Sequence, residues 1–227
     1  QDSDYSPEGI YGWQAYSFVF DDGICIDSKK APTLSALQTL NAKEGNSISI
    51  VATESSGNIG FTCLTSGKRS EEYQIYTEDL TSLAPRIWSE TSVIESSEGK
   101  VTQVLKPMTA DISIRIENAP AAFKSVTLSI PDGTNTWNIA SNIFECTGNP
   151  FTTALTSDIS GKDVTIFPPL RKEGEWKPDI RVIVGDESIT PVMNLSERIV
   201  SGTSATLTLD FADYVRKGTF ELSYSSK

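Results

Sequence analysis

A chain of 227 residues, 38% of them hydrophobic, is long enough to bury one large all-β core or two smaller ones, and too apolar to remain disordered. Its 30 acidic against 19 basic side chains leave a formal charge of -11, which removes the basic footprint of a nucleic-acid interface and disfavours docking on an anionic lipid surface. Histidine is absent, which removes the Ser-His-Asp and Cys-His nucleophile pairs and the histidine ligands of most catalytic zinc sites.

The opening QDSDYSPEG is polar and starts without Met, the pattern expected of a trimmed form of an exported precursor. Tyr16–Phe20 is apolar, Asp21-Asp22-Gly23 is a turn signal and Ile24–Ile26 follows, which predicts a hairpin. Within Thr33–Lys43, Leu34, Leu37 and Leu40 recur at helical spacing with Thr33 placed to cap them. One short helix is expected there, the competing reading being a loop with buried leucines. Ser47–Ala52 reads as a strand, Ser55–Asn58 as a turn and Ile59–Leu64 as the return. Ser66–Glu72 is a polar surface loop, and Tyr73–Thr77 is a strand or one helical turn. Ile87–Val93 is strand-like, and Ser96–Lys100 turns the chain into Val101–Leu105, read as a further strand.

Lys106-Pro107 then stands between strands, where a proline suits an inter-domain join and divides the chain into 1–106 and 107–227. Ala110–Ile116 gives the clearest local signal: Ile112, Ile114 and Ile116 share one face, Asp111, Ser113 and Arg115 the other. That period of two belongs to a half-buried antiparallel strand. Ser125–Ile130, Val164–Phe167 and Ile180–Val184 are further strands, and Trp137–Phe144 is weakly apolar. Near the end, Ala205–Phe211 alternates through Leu207, Leu209 and Phe211, and Thr219–Tyr224 sets Phe220, Leu222 and Tyr224 on one face. Short strands with turn residues between them predict an all-β fold of antiparallel β-sandwich packing, with at most one or two short helices, rather than βαβ units. Sandwich domains of about 100 residues make two the natural number.

Cys25, Cys63 and Cys146 form no C-x-x-C pair. Cys25 and Cys63 lie in apolar runs and are simplest as small buried hydrophobes, a disulfide between them being the alternative that geometry must decide. The G-x-S-x-G, G-x-G-x-x-G and P-loop patterns are missing. Carboxylates are so many that some must pair in space, so they do not by themselves argue a glycosidase-like pair. No catalytic, cofactor-binding or metal-ligating residue is assigned, and no apolar run approaches the length of a membrane-spanning helix. Trp176, in the polar KEGEWKPD, is either an exposed ring that stacks on a sugar or marks a partner surface, or a ring folded over its own loop. Asn194-Leu195-Ser196 fits the N-x-[ST] pattern.

VLKPMTADISIRIENAPAAFKSVTLSI resembles the strand pair of the fimbrillin-like proteins of Bacteroidales, in which a strand, a basic-Pro step and an A-x-I-x-I-x-I strand lead through a short turn to x-S-V-x-L. AYSFVFDDGICID resembles the first strand and turn of that family, and SISIVATESSGNIGF a later strand. The resemblance implies two transthyretin-like β-sandwich domains, export as a lipoprotein to the outer membrane, and a role as stalk, tip or anchor subunit. Its partners would be other fimbrial subunits or ligands on host or bacterial surfaces, and its membrane attachment a lipid anchor outside this chain. Stalk subunits of the family assemble by strand exchange, which would make Leu207, Leu209, Phe211, Phe220, Leu222 and Tyr224 the candidate exchange residues. Lys68-Arg69 and Arg86, the nearest basic sites in the first half, match no Arg-directed cleavage loop, which leaves an anchor, tip or accessory role more open. The alternative is a glycan-binding surface lipoprotein that uses Trp176.

Overall fold

The computed structural model describes residues 13–37, 40–54, 59–77, 85–96, 102–130, 134–145, 151–156, 163–166, 179–190, 201–202, 204–212 and 221–226. In chain order the strands are β1 (Trp13–Asp21), β2 (Ile24–Ala31), β3 (Ser47–Glu54), β4 (Ile59–Phe61), β5 (Gln74–Thr77), β6 (Ile87–Val93), β7 (Lys106–Pro107), β8 (Ala110–Glu117), β9 (Phe123–Ile130), β10 (Thr136–Asn138), β11 (Phe144–Glu145), β12 (Phe151–Thr156), β13 (Asp163–Ile166), β14 (Asp179–Val184), β15 (Glu187–Ile189), β16 (Ser204–Asp210) and β17 (Glu221–Ser226). The fold is all-β: among the described residues there is no α-helix, only single 3-10 turns at Leu34–Leu37 and Ser70–Glu72.

Two compact units result: Gln1–Glu78 with Ala84–Met108 and Thr136–Glu145, and Asp79–Leu83 with Thr109–Asn135 and Cys146–Lys227. The first holds sheets of order β2-β1-β3-β6-β7 and β11-β10-β5-β4; the second holds β12-β9-β14-β15 and β13-β8-β16-β17. The segment Thr136–Glu145 belongs to the first unit because β10 pairs with β5, Trp137 opposite Ile75 and Thr136 opposite Tyr76. A cut at residue 107 alone would separate those partners.

The opening hairpin forms as the sequence predicts. Asp22 and Gly23 take φ of 48° and 76°, the two left-handed residues of a tight turn whose twist matches that of its strands. The strand that leads into the turn, β1, is buried on both faces. Tyr16, Phe18 and Phe20 point to one side, where Phe18 and Phe20 meet the edge of Tyr73 at 5.5 and 5.4 Å between ring centroids and Tyr16 meets Phe61 at 4.4 Å. Each such burial is worth roughly 2–3 kcal/mol. On the other side, Ala15 and Ala31 pack with Leu34 and Leu37, and Val19, Ile48 and Ile94 with Leu40 and Ala42.

That second cover is the β2–β3 connection, and it corrects the expected helix over Thr33–Lys43. Among the described residues there only Leu34–Leu37 is helical, as a 3-10 turn. Three-residue turns put Leu34 and Leu37 on one side of the chain, over Ala15, while Leu40 and Ala42 of the same strap cover Val19. Polar bonds pin the strap: Asp27 Oδ2 accepts from Asn41 N at 3.0 Å, Asn46 Oδ1 from Lys43 N at 3.0 Å, and Lys43 pairs with Asp21 at 2.9 Å.

Two further expectations are revised. Val101–Leu105 is not a strand where it is described; the pairing falls on β7, whose Pro107 stands opposite Trp88. Proline is tolerated there because β7 is a sheet edge. Before it, Gln103 Nε2 donates to Ile48 O at 3.0 Å and Ser92 Oγ at 2.6 Å, so a side chain does what a ladder would. Pairing is not wholly antiparallel either: β16 runs parallel to β8. Parallel neighbours need a long crossover, which the chain between Glu117 and Ser204 supplies. Cys25 is buried, as expected of a small apolar side chain, whereas Cys63 is half-buried; both are free thiols in this structure. Cys146 lies outside the described residues. The undecided Tyr73–Thr77 is resolved as strand β5.

Tyr73 is fully buried, and its hydroxyl donates to Thr65 O at 2.6 Å and accepts from Lys68 N at 3.4 Å. Burial first, and the neighbouring Cys25 second, hold the phenol well above its ordinary value of 10. The folded phenol therefore keeps its proton where the unfolded one loses it. Its stabilisation is complete below pH 10 and drains as pH rises beyond, with a limiting slope of about 1.4 kcal/mol per pH unit for one proton. Tyr73→Phe should flatten the fall of unfolding free energy between pH 9 and 11 in urea titrations. An unchanged slope would assign the fall to other groups.

Candidate functional site

The alternating C-terminal strands come together in one sheet. β16 lies between β8 and β17, with Ala205, Leu207 and Leu209 opposite Ile112, Ile114 and Ile116 on the parallel side. On its antiparallel side Leu207 stands opposite Tyr224, and Leu209 opposite Leu222. Burial along β16 alternates as its sequence predicts: Ala205, Leu207 and Leu209 are wholly buried, while Ser204, Thr206, Thr208 and Asp210 are partly exposed. Ile112 and Ile114 of β8 extend the same apolar surface.

Phe211 closes the end of this surface. It is buried against the edge of the Phe123 ring at 5.8 Å, and its N–H donates to Glu117 O at 3.0 Å. Asp210 fixes the exit of the strand: its Oδ1 accepts from Asn118 Nδ2 at 2.8 Å and from Ala212 N at 2.9 Å. Asn118 can reach because it turns the chain after β8 at φ 52°, a left-handed position that asparagine tolerates.

β17 is different in kind. It is an edge strand of its sheet, as β13 is at the other side, and is hydrogen-bonded along six residue pairs to β16. An edge strand has a ladder on one side only, and its loss would uncover both the backbone edge of β16 and the apolar residues beside it. Of the expected exchange residues, Leu207 and Leu209 thus sit in an interior strand, Phe211 just past its end, and Leu222 and Tyr224 on the edge strand beside it. Phe220 and Trp176 lie outside the described residues, as does Asn194. The parallel floor supplied by β8 was not among the expected site residues; its isoleucine alternation was visible, but nothing local tied it to β16.

Among the described residues no group of three or more Cys, Asp or Glu is arranged to hold a metal, and no helix is long and apolar enough to cross a membrane.

No family model matches the sequence, and no curated protein matches it. Solved structures do share the fold. The tip fimbrial protein Mfa3 of Porphyromonas gingivalis superposes with a TM-score of 0.57 at 8% identity, over 94% of this chain and 92% of that one. A proposed adhesin of Bacteroides thetaiotaomicron gives 0.57 at 12% identity, over 93% and 88%. The fimbrial anchor protein Mfa2 of Porphyromonas gingivalis gives 0.50 at 12% identity, over 94% and 88%.

Proposed function

We propose that this chain is a non-enzymatic surface protein of the fimbrillin-like kind, a tip, anchor or adhesin-like component of a fimbria, joined to another subunit by strand exchange at the β17 position. The observation that carries the proposal is the contrast within one sheet. Among the described residues β17 has a single neighbour, whereas β16 beside it is paired on both sides and buries Ala205, Leu207 and Leu209 completely. The fold shared with tip and anchor proteins supports the class. Two sheets in each unit support two transthyretin-like sandwich domains, divided near residue 107 with Thr136–Glu145 lent back to the first.

In this scheme β16 is the acceptor and never the donor, because withdrawing it would break two ladders. Leu207 and Leu209 floor the groove, Phe211 seals its end, and Leu222 and Tyr224 mark the strand that leaves or is replaced. A donated strand restores the backbone bonds and recovers the apolar surface in one step. The protein would act outside the cell, held at the outer membrane by a lipid anchor beyond this chain, with fimbrial subunits or surface ligands as partners.

The test is a chain shortened by residues 219–227 and a labelled peptide of that sequence. The shortened chain should unfold several degrees lower, bind the peptide saturably and regain its midpoint. A scrambled peptide should do neither. A shortened chain with unchanged midpoint and unchanged self-association would end the proposal. If the shortened chain does not fold, the full chain should still take up the labelled peptide slowly, and failure to do so would also end it.

A further inference from the structure

The segment between β4 and β5 does more than connect two strands. It lies along the free edge of β2: Cys25 N donates to Lys68 O at 2.9 Å, Gly67 N to Cys25 O at 2.7 Å and Ser70 N to Gly23 O at 2.8 Å. Arg69 bridges Ile24, and Ser28 Oγ donates to Leu64 O at 2.9 Å. One sheet edge is thereby closed by a loop rather than left open, a standard protection of edge strands.

This closure gathers two thiols around Tyr73. Cys25 stands opposite Phe20 in the β1–β2 ladder, and the Phe20 ring packs on Tyr73. Cys63 Sγ donates to Thr65 O at 3.3 Å, the carbonyl that also accepts from Tyr73 Oη at 2.6 Å. The Tyr73 hydroxyl also accepts from Lys68 N at 3.4 Å, and Lys68 O accepts from Cys25 N at 2.9 Å, so hydrogen bonds tie the phenol to the segments that carry both cysteines. Cys25 and Cys63 thus belong to the two elements that the edge closure holds together, with the Tyr73 hydroxyl bonded to the chain beside each.

We propose that Cys25 and Cys63 are a redox pair, and that their oxidation to a disulfide locks the 63–70 segment onto the edge of β2. With a small disulfide such as oxidised glutathione as oxidant, Cys63 reacts first, because it is partly exposed whereas Cys25 is 1% exposed. The Cys63 sulfur attacks one sulfur of glutathione disulfide, loses its proton and releases one glutathione thiol. Cys25 then loses its proton, attacks the Cys63 sulfur of the mixed disulfide and expels the second glutathione. Two protein S–H bonds become one S–S bond, and one glutathione disulfide becomes two thiols. Burial pushes the Cys25 thiol up from its ordinary value, with the Tyr73 hydroxyl offsetting part of the effect. That makes Cys25 a poor first nucleophile and suits it to the intramolecular second step. The link constrains the unfolded chain across a long loop and so stabilises the folded one.

The experiment uses the full chain, incubated with oxidised glutathione or with reductant, then denatured for thiol titration, intact mass and tryptic mapping. The three thiols should fall to one, the mass by two hydrogens, and the linked peptides should be those of Cys25 and Cys63. Cys146→Ser should keep the link, and Cys63→Ser, at a partly exposed position, should abolish it. The unfolding midpoint should rise by several degrees on oxidation in the parent chain only. Three thiols remaining, a glutathione adduct without an internal link, or a link that uses Cys146 would each overturn the pair. A Cys25–Cys63 link with no rise in midpoint would overturn the locking role.

Discussion

Leu207→Ala should lower the unfolding free energy by about 3 kcal/mol, within the range for truncating a leucine in a packed core. Leu207 is wholly buried and sits in the middle of β16 between Ile114 and Tyr224. Removing its side chain leaves a hole in an interior strand whose backbone, laddered on both sides, cannot move in to fill it. Urea unfolding of the two proteins checks the value. A loss under about 1 kcal/mol would mean that the sheet relaxes around the site, and that β16 is not the rigid floor described above. The same substitution tests the acceptor role separately, since it weakens the surface that a replacement strand covers. The shortened chain carrying it should bind the 219–227 peptide at least tenfold less tightly, the equivalent of about 1.4 kcal/mol.

Trp137→Ala should cost about 4 kcal/mol, the centre of the range for removing a large buried aromatic. Trp137 is fully buried in β10, its ring stacked on Phe144 at 6.0 Å with 21° between planes, and opposite Ile75 in the β5 ladder. It anchors the ten-residue return of the chain to the first unit. Its indole Nε1 has no hydrogen-bond partner among the described residues, so part of the burial gain is already offset by an unpaired donor. Trp137→Phe keeps most of the ring and removes that donor, so it should lose less than half of what alanine loses. Equal losses for phenylalanine and alanine would show that ring burial is not what holds β10 in place. Denaturant melts with near-UV circular dichroism distinguish the outcomes, because the dichroism reports on packing of the aromatic cluster itself.

Much of the candidate site was legible before any coordinates. Leu207, Leu209 and Phe211 alternate in the sequence and are buried in the fold, and the Asp22-Gly23 turn needs only local conformational preferences. The expected helix at Thr33–Lys43 failed for a physical reason. Leucines three apart serve a strap laid over a sheet as well as a helix, and a face of β1 was there to be covered. Cys25 shows the same limit: its apolar surroundings marked it as buried, but only the closure of the β2 edge by the 63–70 segment brings it and Cys63 into the hydrogen-bonded surroundings of Tyr73.

By itself the sequence determined what local forces determine: strands of period two, turns where glycine and asparagine permit left-handed backbone, an acidic surface, and the absence of histidine-based chemistry. Tertiary structure alone decided which strands meet. The parallel pairing of β16 with β8, the return of β10 to β5, and the placing of β17 at an edge join segments distant in the chain. Many strands carry the same alternating pattern and would satisfy one another's backbone equally well. The choice among them rests on which combination buries all the apolar faces at once, and the cost of closing the intervening loops grows too slowly with length to favour near neighbours strongly.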